Sequence, residues 1–93
     1  HVDSKPEELD SIDREIVRLR IEQEALKKES DAGSKERLKR LEAELADLES
    51  RSDTITAKWK AEKDKLGAAA EIKTKLDNAR NELAQAQRKG EYQ

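Results

Sequence analysis

Apolar residues return along the chain at alternating spacings of three and four. Leu9, Ile12, Ile16, Leu19 and Leu26 form a first stripe, with Gln23 filling its remaining position. This is the a/d pattern of a helix that supercoils around a partner. Ahead of it, Ser4 and Glu7 have the spacing of a capping box, and Pro6 falls in the first turn, where its missing N–H costs nothing. A helix is expected over about residues 5–29. The stripe stops at Ser30-Asp31-Ala32-Gly33-Ser34. Gly33 is expected to relieve the backbone at a turn, and Ser34 to cap a second helix from 34 onward. That helix carries its own stripe of Leu38, Leu41, Leu45, Leu48, Ser52, Ile55 and Trp59.

Folding the chain back at the loop centre pairs residues whose numbers sum to 64. Leu26 then faces Leu38, Gln23 faces Leu41, Leu19 faces Leu45, and Ile16 faces Leu48. Ile12 faces Ser52, Leu9 faces Ile55, and Lys5 faces Trp59. Every seam position meets a seam position, whereas a random pairing would fall out of phase. A first helix of about 25 residues spans ~37 Å, whereas a second running to Lys89 spans ~84 Å. The expected fold is therefore all-α: an antiparallel coiled-coil hairpin with one long helix extending well beyond its short partner.

The uncovered half still carries a stripe of Leu66, Ala69, Ile72, Leu76, Ala79, Leu83 and Ala86. Leu66, Ala69 and Ile72 are spaced three and three, a stammer that overwinds a coiled coil and marks a junction between two seams. Gly67 lies at that junction. It reads as a tolerated helical glycine, as a hinge between two wings, or as a turn that would make a three-helix bundle. Ala68-Ala69-Ala70 favours the helical reading. Leaving Ile72, Leu76 and Leu83 bare forgoes ~1.5–3 kcal/mol for each side chain that could be buried, so the distal half calls for a partner. A weaker outer strip of Val17, Ile21 and Ala25 on the first helix is a second docking face or a set of ordinary exposed aliphatics.

Composition narrows the function classes. Charged residues make up 45% of the 93 residues and aromatics 2%, with no Cys, Met or Phe, so a narrow seam is affordable and a deep pocket is not. The net charge of −2 is mixed in sign, and the basic clusters at Lys27-Lys28 and Arg37 to Arg40 are interrupted, so nucleic-acid binding is not expected. No apolar run approaches the ~20 residues of a membrane helix, and no signal-peptide pattern opens the chain. A soluble, cytoplasmic protein is expected. The sole histidine is His1, and no Gly-rich phosphate loop is present. No catalytic, cofactor-binding or metal-binding residue is assigned, and a non-enzymatic protein is expected. Asp10–Arg14, Glu24–Lys28, Glu36–Arg40 and Glu71–Lys75 are helix-supporting pairs four apart. Trp59 reads as a large cap closing the hairpin near Pro6, with a binding hot spot as the alternative.

Three stretches, DSKPEELD (3–10), EALKKESD (24–31) and WKAEK (59–63), resemble the middle domain of the ClpB family. These are ring-forming AAA+ protein disaggregases of bacteria, and the resemblance spans essentially the whole chain. It implies a disordered or non-native end at 1–4, a proximal wing at 5–65 and a distal wing at 66–93. The chain stops at Gly90-Glu91-Tyr92-Gln93, short of the return helices that cover the distal wing in that family, so an excised fragment is expected. The resemblance further implies a chaperone of the stress response whose ATPase modules and cofactors lie outside this chain. The proximal wing would restrain neighbouring subunits of the ring, with Glu29 as the inter-subunit contact. The distal wing would dock a DnaK-type chaperone, with Lys73, Asp77, Arg80, Asn81 and Arg88 as the contacts. The alternative is a structural rod that forms a homodimer through the distal stripe.

Overall fold

A computed structural model describes residues 4–91. The expectation for the N-terminal end therefore lies outside the described residues for 1–3, and Tyr92 and Gln93 lie outside them too. The described residues form two α-helices: α1 (Glu7–Lys27) and α2 (Ala32–Glu91). The chain divides into two compact units with the boundary between Lys60 and Ala61.

The first unit is a helical hairpin. Leu9, Ile12 and Leu19 of α1 and Leu41, Leu45 and Leu48 of α2 are buried, and Leu19 and Leu41 are fully enclosed. Ile16, Leu26 and Ile55 pack against this cluster half-buried. All are stripe residues, so the seam forms where the three-and-four spacing places it. Polar contacts across the seam fix its direction. Ser52 donates to Asp13 at 2.9 Å, and Gln23 donates to Glu42 at 3.2 Å. Both pairs of numbers sum to 65, one residue from the expected 64, and the order is antiparallel. Ser52 holds the seam position opposite Ile12, and its hydroxyl escapes the apolar layer by reaching Asp13 at the edge.

The ends of the helices differ from expectation. Pro6, not Ser4, stands at the N-cap of α1, and no side chain caps that end. The amide of Asp10 closes the first turn on the Pro6 carbonyl at 3.0 Å, while Glu7, Glu8 and Asp10 place negative charge against the helix dipole. The Ser4–Glu7 capping box does not form. At the other end the amides of Lys28 and Glu29 turn back onto the carbonyls of Ala25 and Leu26.

In the connector, Asp31 takes the capping role assigned to Ser34. Its carboxylate accepts from the Ser34 amide at 2.9 Å and from the Ser34 hydroxyl at 2.7 Å. The helix thus begins at Ala32, with Ser34 in its first turn. An aspartate three residues earlier offers both a cap and a favourable charge at the positive helix end. Gly33 consequently lies inside α2 without a positive φ, so it is not the turn residue expected.

α2 runs through Gly67 as helix, which removes the turn reading and the three-helix bundle with it. In the second unit, every described residue is exposed. Leu66, Ile72, Leu76 and Leu83 are left 48–67% accessible.

Candidate protein-interaction surfaces

The hairpin binds its helices at the edges with ion pairs as well as at the seam with leucines. Arg37 grips Glu22 with two parallel hydrogen bonds, both 2.9 Å, and this pair is half-buried. The fork geometry matches a carboxylate and keeps the connector end closed. Arg37 holds the Glu22 carboxyl below its ordinary range, and Glu22 in turn raises the Arg37 guanidinium. At the other end Lys5 reaches Asp13 at 2.6 Å. Lys5 first, then the Ser52 hydroxyl, hold the Asp13 carboxyl low. Between them Arg20 pairs with Glu49. The cross-helix partners were not singled out in the sequence. Their signal was available, because Glu22, Arg37, Arg20 and Glu49 all flank seam positions by one residue, where coiled coils place interhelical charges.

Of the pairs expected four apart, Asp10–Arg14 forms at 2.9 Å and Glu71–Lys75 at 3.5 Å. Glu24 pairs with Lys27 instead of Lys28, because α1 ends at Lys27. Glu36 and Arg40 do not pair among the described contacts. The basic clusters are partly spent: Arg37 is committed to Glu22 and Lys27 to Glu24.

Glu29 lies in the connector beyond α1, exposed, with its amide donating to Leu26 at 3.0 Å. Its carboxylate sits at the tip of the hairpin, free of helical geometry. Val17 and Ile21 are 58% and 69% exposed, so the outer strip of α1 is bare. Trp59 and Pro6 are both half-buried near the opposite end of the hairpin.

Lys73, Asp77, Arg80, Asn81 and Arg88 are all exposed on α2. A helix turns about 100° per residue, so these five fall within an arc of about 100°. Lys73, Asp77, Arg80 and Asn81 cluster over two turns, and Arg88 follows two turns after Asn81. The bare stripe of Ala69, Ile72, Leu76, Ala79, Leu83 and Ala86 fills the adjoining arc. The second unit thus presents a polar strip beside an apolar one, the pairing of surfaces that protein interfaces use for specificity and adhesion.

Among the described residues, no three His, Cys, Asp or Glu side chains are arranged to hold a metal ion, and no helix is long and apolar enough to cross a membrane.

No protein-family model matches the chain. Curated relatives match it across its whole length. It is 66% identical over 93 residues to the chaperone protein ClpB of Brucella suis biovar 1, covering all of this chain and 11% of that protein. It is 67% identical over 92 residues to the ClpB of Mesorhizobium japonicum, covering 99% and 11%. The likeness extends to the more distant ClpB 1 of Thermosynechococcus vestitus, at 44% over 87 residues, covering 94% and 10%. The chain spans about a tenth of the length of these relatives. High identity without gaps in coverage, on a two-helix fold whose seam matches the sequence pattern, identifies the chain as a segment of the ClpB chaperone family.

Proposed function

We propose that this segment is a regulatory protein-binding arm of a cytoplasmic ClpB-type disaggregase. The hairpin, residues 5–65 with Glu29 at its tip, restrains neighbouring subunits of the parent ring. Docking of a DnaK-type chaperone on residues 66–91 releases that restraint. The observation that carries this reading is the exposed second unit, where Lys73, Asp77, Arg80, Asn81 and Arg88 lie together beside uncovered leucines.

The arm performs no bond chemistry in this account. It transmits binding energy, and the rest of the parent protein supplies ATP turnover. For docking to shift the ring, the chaperone must bind the released state more tightly than the restrained one, with a coupling typically of ~1–3 kcal/mol. Charged contacts at the docking face give orientation and fast encounter, while adjacent apolar area gives adhesion.

NMR titration of the labelled chain with a DnaK-type chaperone tests the assignment. Shifts confined to residues 70–90, weakened when Lys73 and Arg80 are reversed in charge, are expected. Shifts confined to residues 5–30 refute it.

A further inference from the structure

Glu29 lies one residue from the clasp that starts α2. Four residues, Lys28 to Asp31, join the two helices, and both ends of this connector are tied. On the α1 side the amides of Lys28 and Glu29 donate to the carbonyls of Ala25 and Leu26, at 3.3 and 3.0 Å. On the α2 side the Asp31 carboxylate accepts from the Ser34 amide and hydroxyl. Its carbonyl accepts from the Lys35 amide at 3.1 Å. Only Ser30 stands between the two sets of bonds. Glycine in the first turn of α2 leaves the carboxylate its room, since a Cβ on Gly33 would stand 3.3 Å from Oδ2 of Asp31.

The two ties are unequal. Glu29 donates the outermost bond of α1, which reaches back three residues instead of four, and such terminal bonds fray. Asp31 is fastened through both side chain and backbone to a helix that is itself fixed to α1 one turn later by the Arg37–Glu22 fork. Holding a residue in one backbone conformation costs entropy. Glu29 is exposed and gains no burial to offset that cost, so its order has to come from its neighbours along the chain. Without the cap, the first turn of α2 opens and the connector grows from four residues to about seven. A longer tether spreads its contents over a larger volume, and the Glu29 carboxylate is then offered less often in any one place.

We propose that Asp31 is a positioning residue: by capping α2 it holds Glu29 in one place at the tip of the hairpin. This rests on the reading of Glu29 as the contact that restrains neighbouring subunits, and adds the group that fixes where that contact is presented.

Two variants test it. Asp31→Ala opens the first turn about fivefold more often, and Asp31→Asn keeps an acceptor for the Ser34 amide. In this chain, NMR relaxation reads the order of the connector, with circular dichroism confirming that each variant stays helical. The amide order parameter of Glu29 falls from about 0.85 toward 0.6 in the alanine variant and is regained in the asparagine variant. In the parent ring, ATP turnover without chaperone rises with Glu29→Ala. Asp31→Ala raises it in the same direction, Asp31→Asn does so far less, and Asp31→Ala adds nothing to Glu29→Ala because it acts through that residue. An unchanged Glu29 order parameter in Asp31→Ala, or an effect on turnover that adds to that of Glu29→Ala, overturns the proposal. A ring indifferent to Glu29→Ala instead refutes the tip contact of the proposed function, and the order parameters alone then decide whether Asp31 holds Glu29 in place.

Discussion

Leu19→Ala tests where the stability of the hairpin resides. Leu19 is fully enclosed and sits in the buried cluster with Ile12, Leu41, Leu45 and Leu48. Truncating a buried leucine costs about 2–5 kcal/mol, depending on how far its surroundings collapse. A two-helix seam is open at its flanks, and half-buried Ile16 and Leu26 are free to lean inward, so about 3 kcal/mol is expected. A unit of this size has a total stability of ~3–9 kcal/mol, so the substitution removes a large share. Trp59 is the only tryptophan in the chain and is half-buried in this unit, so its fluorescence in urea follows the opening of the hairpin. With a denaturant slope of ~1 kcal/mol per molar, the midpoint falls by about 3 M. Leu83→Ala, at a site 59% exposed in the second unit, leaves that midpoint in place at concentrations where the chain is monomeric. A Leu19→Ala loss below about 1 kcal/mol, or an equal loss from Leu83→Ala, would falsify the assignment of stability to the seam.

Three further outcomes follow from the geometry. Gly67→Ala stabilises the surrounding helix by about 1 kcal/mol, because an added Cβ meets nothing within 4 Å and the backbone is helical; slower amide hydrogen exchange around residue 67 is the readout, and faster exchange would contradict it. Glu22→Gln alters acid sensitivity. The Glu22 carboxyl is depressed in the hairpin relative to its ordinary 4.5, so its contribution is complete above that value and fades as pH falls through the lower folded value. Melting temperatures of parent and variant therefore differ at neutral pH and converge under acid, and a gap that persists at low pH contradicts the ion-pair account. Asp31→Ala removes the acceptor of the Ser34 amide, and Asp31→Asn keeps one. Exchange at Ser34 accelerates in the alanine variant and is largely restored in the asparagine variant, whereas equal exchange in both shows that another group caps α2.

The hairpin and its alignment were legible because burial in a coiled coil obeys a strict period, and Leu19, Leu41, Leu45 and Leu48 sit in that period without exception. The helix ends were less legible because several residues compete for each cap. Ser4 and Pro6 both suit the start of α1, and the structure begins the helix after Pro6. Asp31 and Ser34 both suit the start of α2, and the aspartate prevails by satisfying the amide and the dipole together. Gly33 looked like punctuation only while the cap was placed after it. The cross-helix partners of Glu22 and Arg20 depend on which long side chains reach furthest, which spacing alone does not rank. The proposed docking face of residues 73–88 rests on family resemblance, since exposed charges on a helix are the ordinary condition of such sequences.

The serine among the leucines has a consequence for alignment. Apolar stripes are forgiving: sliding α2 by one heptad still sets apolar residue against apolar residue over most of their length. Such a slide would carry Ser52 away from Asp13 and lodge its hydroxyl opposite Leu19 or Lys5, while Asp13 would face Leu45 or Trp59. Ser52 and Asp13 thus behave as a tooth and its notch, giving up some adhesion so that the hairpin closes in a single frame. Ser52→Leu should yield a tighter but less faithful zipper, one that tolerates the neighbouring frames as well as the native one.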